Sequence, residues 1–264
     1  DPKARDGVAA IAEAHGGVVE TLDATGGGSL VQRAGSEDAD FPDADREADD
    51  LAAILYTSGT TGRSKGAMLT HDNLLSNALT LRDHWRFTSA DRLIHALPIF
   101  HTHGLFVASN VTLLSGASMY LLAKFDADET LKLMESATVL MGVPTFYVRL
   151  VQHPGLTRAA TAGMRLFVSG SAPLLAETHR GFSEKTGHAI LERYGMTETN
   201  MNTSNPYDGD RVAGTVGFPL PGVSLRVTEP ETGKPLPDGE TGMIEVRGPN
   251  VFKGYWRMPE KTAA

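Results

Sequence analysis

From residue 51 onward the sequence repeats one pattern: short, uninterrupted apolar runs of strand length, each followed by a stretch of helical periodicity. Such runs at 51–56, 92–97, 118–122, 138–142, 164–169 and 189–192 alternate with helical patterns at 74–85, 105–114, 128–136 and 176–186. A strand covered on both faces needs no polar alternation, and a parallel neighbour needs a crossover, usually a helix. The pattern predicts an α/β protein with a mostly parallel sheet flanked by helices. Pro144 is placed to open a further helix, and Gly187 to close the one at 176–186.

The flanks differ. Residues 9–14 and 29–34 read as short helices and 18–22 as a strand, so 1–35 resemble one αβ portion of an upstream subdomain. Residues 36–50 carry eight acidic side chains against Arg46 alone, as in a solvated linker. After residue 212, Pro219, Pro221, Pro230, Pro235 and Pro237 alternate with glycines around strands at 224–228 and 242–247. Asp238 and Gly239 supply a turn between them. Residues 213–264 therefore predict a small β-rich, barrel-like module following an α/β part at 51–212. Asp1 stands where a Met would start a chain, and Ala264 follows a motif that reads as unfinished. Both suggest a piece of a longer protein.

Composition excludes several functions. A net charge of −8, a pI near 5.6 and no basic run argue against a nucleic-acid binder. Zero cysteines leave no disulfide, thiolate metal site or cysteine nucleophile, and fit a reducing, cytoplasmic setting. No stretch approaches the roughly 18 apolar residues that a membrane span needs.

The chemistry concentrates in residues 56–66, Tyr-Thr-Ser-Gly-Thr-Thr-Gly-Arg-Ser-Lys-Gly. Glycines let backbone N–H groups converge on an anion, Thr57, Ser58, Thr60 and Thr61 add donors, and Lys65 adds a charge. It is not a P-loop, because Lys65 is preceded by Ser64 and followed by Gly66. His101 and His103 have a metal-ligand spacing, but no third and fourth ligands follow at usable spacing.

This loop resembles the signature of the adenylate-forming superfamily of acyl-CoA synthetases, luciferases and peptide-synthetase adenylation domains. Ser64 stands where the usual form has Pro. Four further blocks agree in order: residues 97–104 (Leu-Pro-Ile-Phe-His-Thr-His-Gly), 168–174 (Val-Ser-Gly-Ser-Ala-Pro-Leu), 192–198 (Glu-Arg-Tyr-Gly-Met-Thr-Glu) and 239–255. The resemblance implies that a carboxylate attacks the α-phosphorus of ATP, and that the thiol of CoA then displaces AMP from the acyl-adenylate. It implies that Thr57, Ser58, Gly59, Thr60, Thr61, Gly62 and Lys65 hold the phosphates. Ser171, Ala172, Pro173, Glu192, Arg193, Tyr194, Gly195, Met196 and Thr197 would contact the nucleotide, with Tyr194 on the adenine and Thr197 at the α-phosphate. Glu198, with Thr60, would hold Mg²⁺. Thr197, Glu198, Lys65 and His101 are the implied catalytic residues. The run Val-Pro-Thr-Phe-Tyr-Val-Arg at 143–149 and residues 201–206 look closest to the malonyl-CoA synthetase branch, which also takes methylmalonate. Arg149, Ser171 and His103 would then hold the distal carboxylate, with Met196 bounding the α-substituent. The family's small C-terminal domain has no counterpart in these residues, so this piece alone is expected to turn over poorly. Another short-chain or aryl acyl-CoA synthetase and a non-catalytic nucleotide-binding module are the competing expectations.

Overall fold

The structure, a computed structural model, describes residues 2–57 and 64–263. The chain divides into two units, Asp1–Arg46 and Glu47–Ala264. In the first, a 3-10 turn leads into α1 (Arg5–Ala14), and α2 (Ser29–Ala34) follows. Residues 18–22 are not the expected strand and adopt no regular secondary structure. Their backbone bonds go locally instead: the Thr21 N–H donates to Ser29 Oγ at 2.9 Å, and the Leu30 N–H to the Thr21 carbonyl at 3.1 Å.

The second unit opens with β1 (Leu51–Thr57) and β2 (Lys65–Thr70), paired antiparallel so that Thr57 faces Lys65. The two strands thus flank the glycine- and hydroxyl-rich segment in sequence. β1 is also not the buried strand its apolar run predicts. It lies at the edge of a three-stranded sheet, with Leu51 38% and Tyr56 65% exposed.

Beyond it the chain alternates as expected. A Thr70–Asn73 capping box starts α3 (His71–His84), and β3 (Arg92–His95) follows. The helix expected at 105–114 begins as a π-helical turn, His103–Ala108, before α4 (Ser109–Leu114). Then come β4 (Ser118–Leu121), α5 (Ala127–Leu133), β5 (Val139–Gly142) and α6 (Pro144–Gln152). β6 (Leu166–Ser169), α7 (Ala176–Thr186) and β7 (Leu191–Met196) complete the alternation. Pro144 is at the start of α6, and Gly187 ends α7 in the left-handed region at φ 80°.

Strands β4, β3, β5, β6 and β7 are parallel neighbours in that order. Alternate residues serve opposite faces. Leu93, Val139, Met141, Leu166 and Val168 pack on Leu81 and Trp85 of the α3 side and on Val111 of α4. Ile94, Leu140 and Phe167 pack on Tyr147 and Leu150 of α6 and Phe182 of α7. This two-sided burial is what made each strand legible as a continuous apolar run.

The sheet then continues with two antiparallel strands that the sequence did not announce, β8 (Asn200–Ser204) and β9 (Phe218–Pro219). β8 is buried throughout although mostly polar. Asn77 exchanges two hydrogen bonds with the Met201 backbone, and Trp85 Nε1 donates to Ser204 Oγ at 3.0 Å. A two-stranded sheet, β10 (Ser224–Thr228) and β11 (Met243–Arg247), precedes β12 (Gly254–Tyr255), which pairs with β2, and α8 (Pro259–Ala263). No described helix is long and apolar enough to cross a membrane.

One ion pair fastens the sheet's lower edge. Arg165 donates to both Asp91 oxygens at 2.7 and 2.8 Å and to the Trp85 carbonyl at 3.0 Å. Burial alone would raise the Asp91 carboxyl, but the bonds from Arg165, the Thr88 N–H and Thr138 hold it below the usual range. Removing one partner of a buried pair costs about 3 kcal/mol, so Asp91→Asn should lower unfolding free energy by that order in urea titrations. With a depressed folded pKa, Asp91's contribution is full above its unfolded value of about 3.9. The difference between wild type and Asp91→Asn should therefore shrink as the pH falls below about 4.

Candidate functional site

In open α/β sheets the carboxyl ends of the strands line the ligand crevice. Here the segments after β3, β6 and β7 converge there, bringing His101 and His103, Ser171, and Thr197 and Glu198 together with Thr57 and Lys65 of the hairpin. They line a cavity of about 370 Å³. A second, of about 480 Å³, is lined by Ala172, Pro173, Glu192 and Tyr194, among others. Ser171, Arg193 and Gly195 belong to both walls, so the cavity at the hairpin end and the cavity beside Tyr194 adjoin. Ser58, Gly59, Thr60, Thr61 and Gly62 lie outside the described residues.

On the hairpin side, Glu198 is buried and linked to Lys65 through a residue sequence reading did not single out. The Tyr255 hydroxyl donates to Glu198 Oε1 at 2.7 Å and accepts from Lys65 Nζ at 3.2 Å. Burial, reinforced by the Glu198 carboxylate, pushes the Tyr255 phenol up to about 12. It is a hydroxyl donor at any physiological pH. The described residues hold no cluster of three or more acidic or imidazole groups fit for a metal by themselves. One buried carboxylate facing a cleft does fit a magnesium ion whose remaining ligands are water and phosphate oxygens.

The central wall is electrostatically unusual. Arg193 on β7 is 3% exposed, yet its Nε and Nη2 have no hydrogen-bond partner among the described residues. Burial lowers its guanidinium to about 9. A Cβ on Gly170 would overlap that guanidinium, which explains the glycine between Ser169 and Ser171. Ser171 sits at φ 71°, where a residue with a Cβ is strained, and its Oγ meets His103 Nδ1 at 3.2 Å. His103 is 2% exposed, and its Nε2 is unpartnered among the described residues. Burial first, then the Arg193 charge and the neighbouring imidazoles of His101 and His95, hold it well below the usual histidine range.

The other expected residues are distributed around this wall. Tyr194 is half-buried, with its hydroxyl 3.8 Å from the sulfur of exposed Met196. Glu192 is buried, accepts the Gly214 N–H at 3.1 Å, and has its carboxyl raised by burial. Thr197 falls in the turn between β7 and β8, not at the start of a helix as residues 194–198 suggest by themselves. Arg149 departs from expectation. It is exposed on α6, its guanidinium lies 4.9 Å from the Phe125 ring centre, and it lines neither cavity. Phe125 is itself stacked on Phe146, so an aromatic shelf offers Arg149 a partner away from the cleft.

Thr102 and Met201 in the first wall, and Gly214 and Val216 in the second, were also missed. No local signal marks Met201, because β8 lacks an apolar alternation. Residues 3–256 match the AMP-binding enzyme family. The chain belongs to that family. It is 40% identical over 248 residues to a malonate–CoA ligase of Arabidopsis thaliana, covering 86% of this chain and 40% of the plant protein. ATP-bound MatB from Rhodopseudomonas palustris superposes with a TM-score of 0.97 at 72% identity, over all of this chain and 52% of that one. A malonyl-CoA ligase in complex with methylmalonyl-CoA and AMP gives 0.78 at 43% identity, over 84% of this chain and 48% of that one. The chain thus spans about half the length of these relatives or less.

The histidine environment is directly measurable. The His103 ring should stay neutral through pH 6–8 in an NMR titration and take up its proton only well below 6.5. Because the folded value is depressed, His103 lowers stability as the pH falls below 6.5, where the unfolded chain binds the proton first. A His103 ring that titrates at 6.5 or above would contradict the buried geometry.

Proposed function

We propose that the full-length protein is an AMP-forming acid–thiol ligase that joins malonate or methylmalonate to CoA. A carboxylate oxygen bonds to the α-phosphorus of ATP as the bond to pyrophosphate breaks, giving an acyl-adenylate. The CoA sulfur, its proton lost, then bonds to the acyl carbon, and AMP leaves with the C–O electron pair. The first step brings anions together, so positioning and neutralisation carry the catalysis. In this reading Lys65 and the hairpin hydroxyls take the β- and γ-phosphates, Thr197 meets the α-phosphate, and Tyr194 flanks the adenine. Magnesium, held by Glu198, supplies charge neutralisation for the phosphates. Residues 213–264 would begin a β-rich subdomain beside the α/β part, and the cysteine-free composition supports a cytoplasmic setting.

The observation that carries the choice of acid is Arg193. A buried guanidinium with two nitrogens unpartnered among the described residues, lining the same cavities as Ser171 and near a neutral His103, suits a second carboxylate that a monocarboxylate lacks. Arg193 therefore takes over the role that sequence resemblance assigns to Arg149, whose side chain rests on Phe125.

Full-length protein supplied with CoA should release AMP and pyrophosphate with malonate and methylmalonate, and far less with acetate or benzoate. Arg193→Ala should cost about 2–5 kcal/mol of transition-state binding with malonate, at least about 30-fold in kcat/KM, while ATP binding holds. Arg149→Ala should do much less. Equal turnover of acetate and malonate would sink the dicarboxylate reading, and ADP as product would sink the adenylation itself.

A further inference from the structure

Tyr255 is built into the site more firmly than a strand residue near a chain turn requires. Its strand β12 pairs with β2, with Tyr255 opposite Ala67, two residues beyond Lys65. The Trp256 N–H donates to the Gly66 carbonyl at 2.8 Å and the Lys253 N–H to the Met68 carbonyl at 2.9 Å, fixing Tyr255 from both sides. The same segment grips Glu198 twice. The Phe252 N–H donates to the Glu198 carbonyl at 2.8 Å, and the Tyr255 hydroxyl to Oε1 at 2.7 Å. No hydrogen bond among the described residues uses Oε2 of Glu198. Lys65 Nζ, besides its bond to the phenol oxygen, lies 4.3 Å from the Tyr255 ring centre. Phe252 packs edge-on against that ring at 4.8 Å.

One phenol thus stands between the cation expected at the phosphates and the carboxylate expected at the metal. We propose that Tyr255 is a positioning residue: its hydroxyl occupies Oε1 of Glu198 and leaves Oε2 for magnesium, while its ring holds the Lys65 ammonium beside the cleft until a polyphosphate takes it. This rests on the reading of the cleft as a site for ATP with magnesium. A carboxylate fixed through one oxygen loses less freedom when the other coordinates a cation, so Tyr255 acts through Glu198.

The test is ATP binding to the full-length protein by calorimetry, once with Mg²⁺ and once with EDTA, with folding followed by circular dichroism. Wild type should gain affinity with Mg²⁺, and Glu198→Gln should lose that gain. Tyr255→Phe keeps the ring but frees Lys65 from the phenol oxygen, so the affinity in EDTA should change by much less than the gain from Mg²⁺, which falls about tenfold, as for a lost hydrogen bond to a charged group. In a Glu198→Gln background the same change should add nothing. A full magnesium gain in Tyr255→Phe, with none in Glu198→Gln, overturns the positioning role and leaves the nucleotide reading intact. If Glu198→Gln keeps the gain, the metal assignment fails and this proposal with it. Equal weakening in EDTA and Mg²⁺, or an unfolded Tyr255→Phe, makes Tyr255 a scaffold residue and overturns the proposal as well.

Discussion

A buried guanidinium in a packed wall is the constraint around which the cleft is arranged. Removing Arg193 from water costs several kcal/mol, and among the described residues no carboxylate bonds its guanidinium. The surrounding structure has to hold it there regardless. β7 is clamped between β6 and β8, and Gly170 yields the space that any side chain would take. Burial first, and then the same charge, keep His103 unprotonated, so the wall carries one cation and one neutral imidazole, not two competing charges. A wall of that kind favours an anion at one point and tolerates an uncharged group at the next.

The scaffold that pays this cost is the five-stranded parallel stretch with helices on both faces. Alternate residues of β3, β5 and β6 lock into separate clusters, so the strand ends are fixed independently of the loops that follow them. Ser171 illustrates the consequence. Its left-handed backbone is strained, and it persists because β6 before it and Leu174 after it are buried. In this conformation the Ser171 hydroxyl meets His103 Nδ1 at 3.2 Å.

Much of the architecture was legible because burial on both faces writes itself as apolar runs, which located β3, β5, β6 and the helices between them, while β4 shows such a run at a half-exposed sheet edge. The failures have physical causes. Residues 51–56 are as apolar as a buried strand, yet β1 is an edge strand. β8 is as buried as β6, but Asn77, Asn250 and Trp85 stabilise it through hydrogen bonds, so its polar sequence hid it. The site was legible where its chemistry is local, as in residues 192–198. It was opaque where partners lie 190 positions apart, as with Lys65 and Tyr255, since no spacing rule connects the start of β2 to a two-residue strand.

The two cavities meet at Ser171, Arg193 and Gly195, and that meeting has a chemical meaning within the proposed reaction. A nucleotide reaching from Tyr194 toward Lys65 must pass this junction, and an acid anchored on Arg193 must approach from it. Gly195 at this junction has to be glycine, because any Cβ there would strike the Asn200 carbonyl and the Met201 side chain. The short turn from β7 to β8 forces that close approach, and it also carries Thr197 and Glu198. One backbone constraint therefore delivers the hydroxyl and the carboxylate to the junction. The catalytic geometry in this reading is a consequence of how tightly two strands turn.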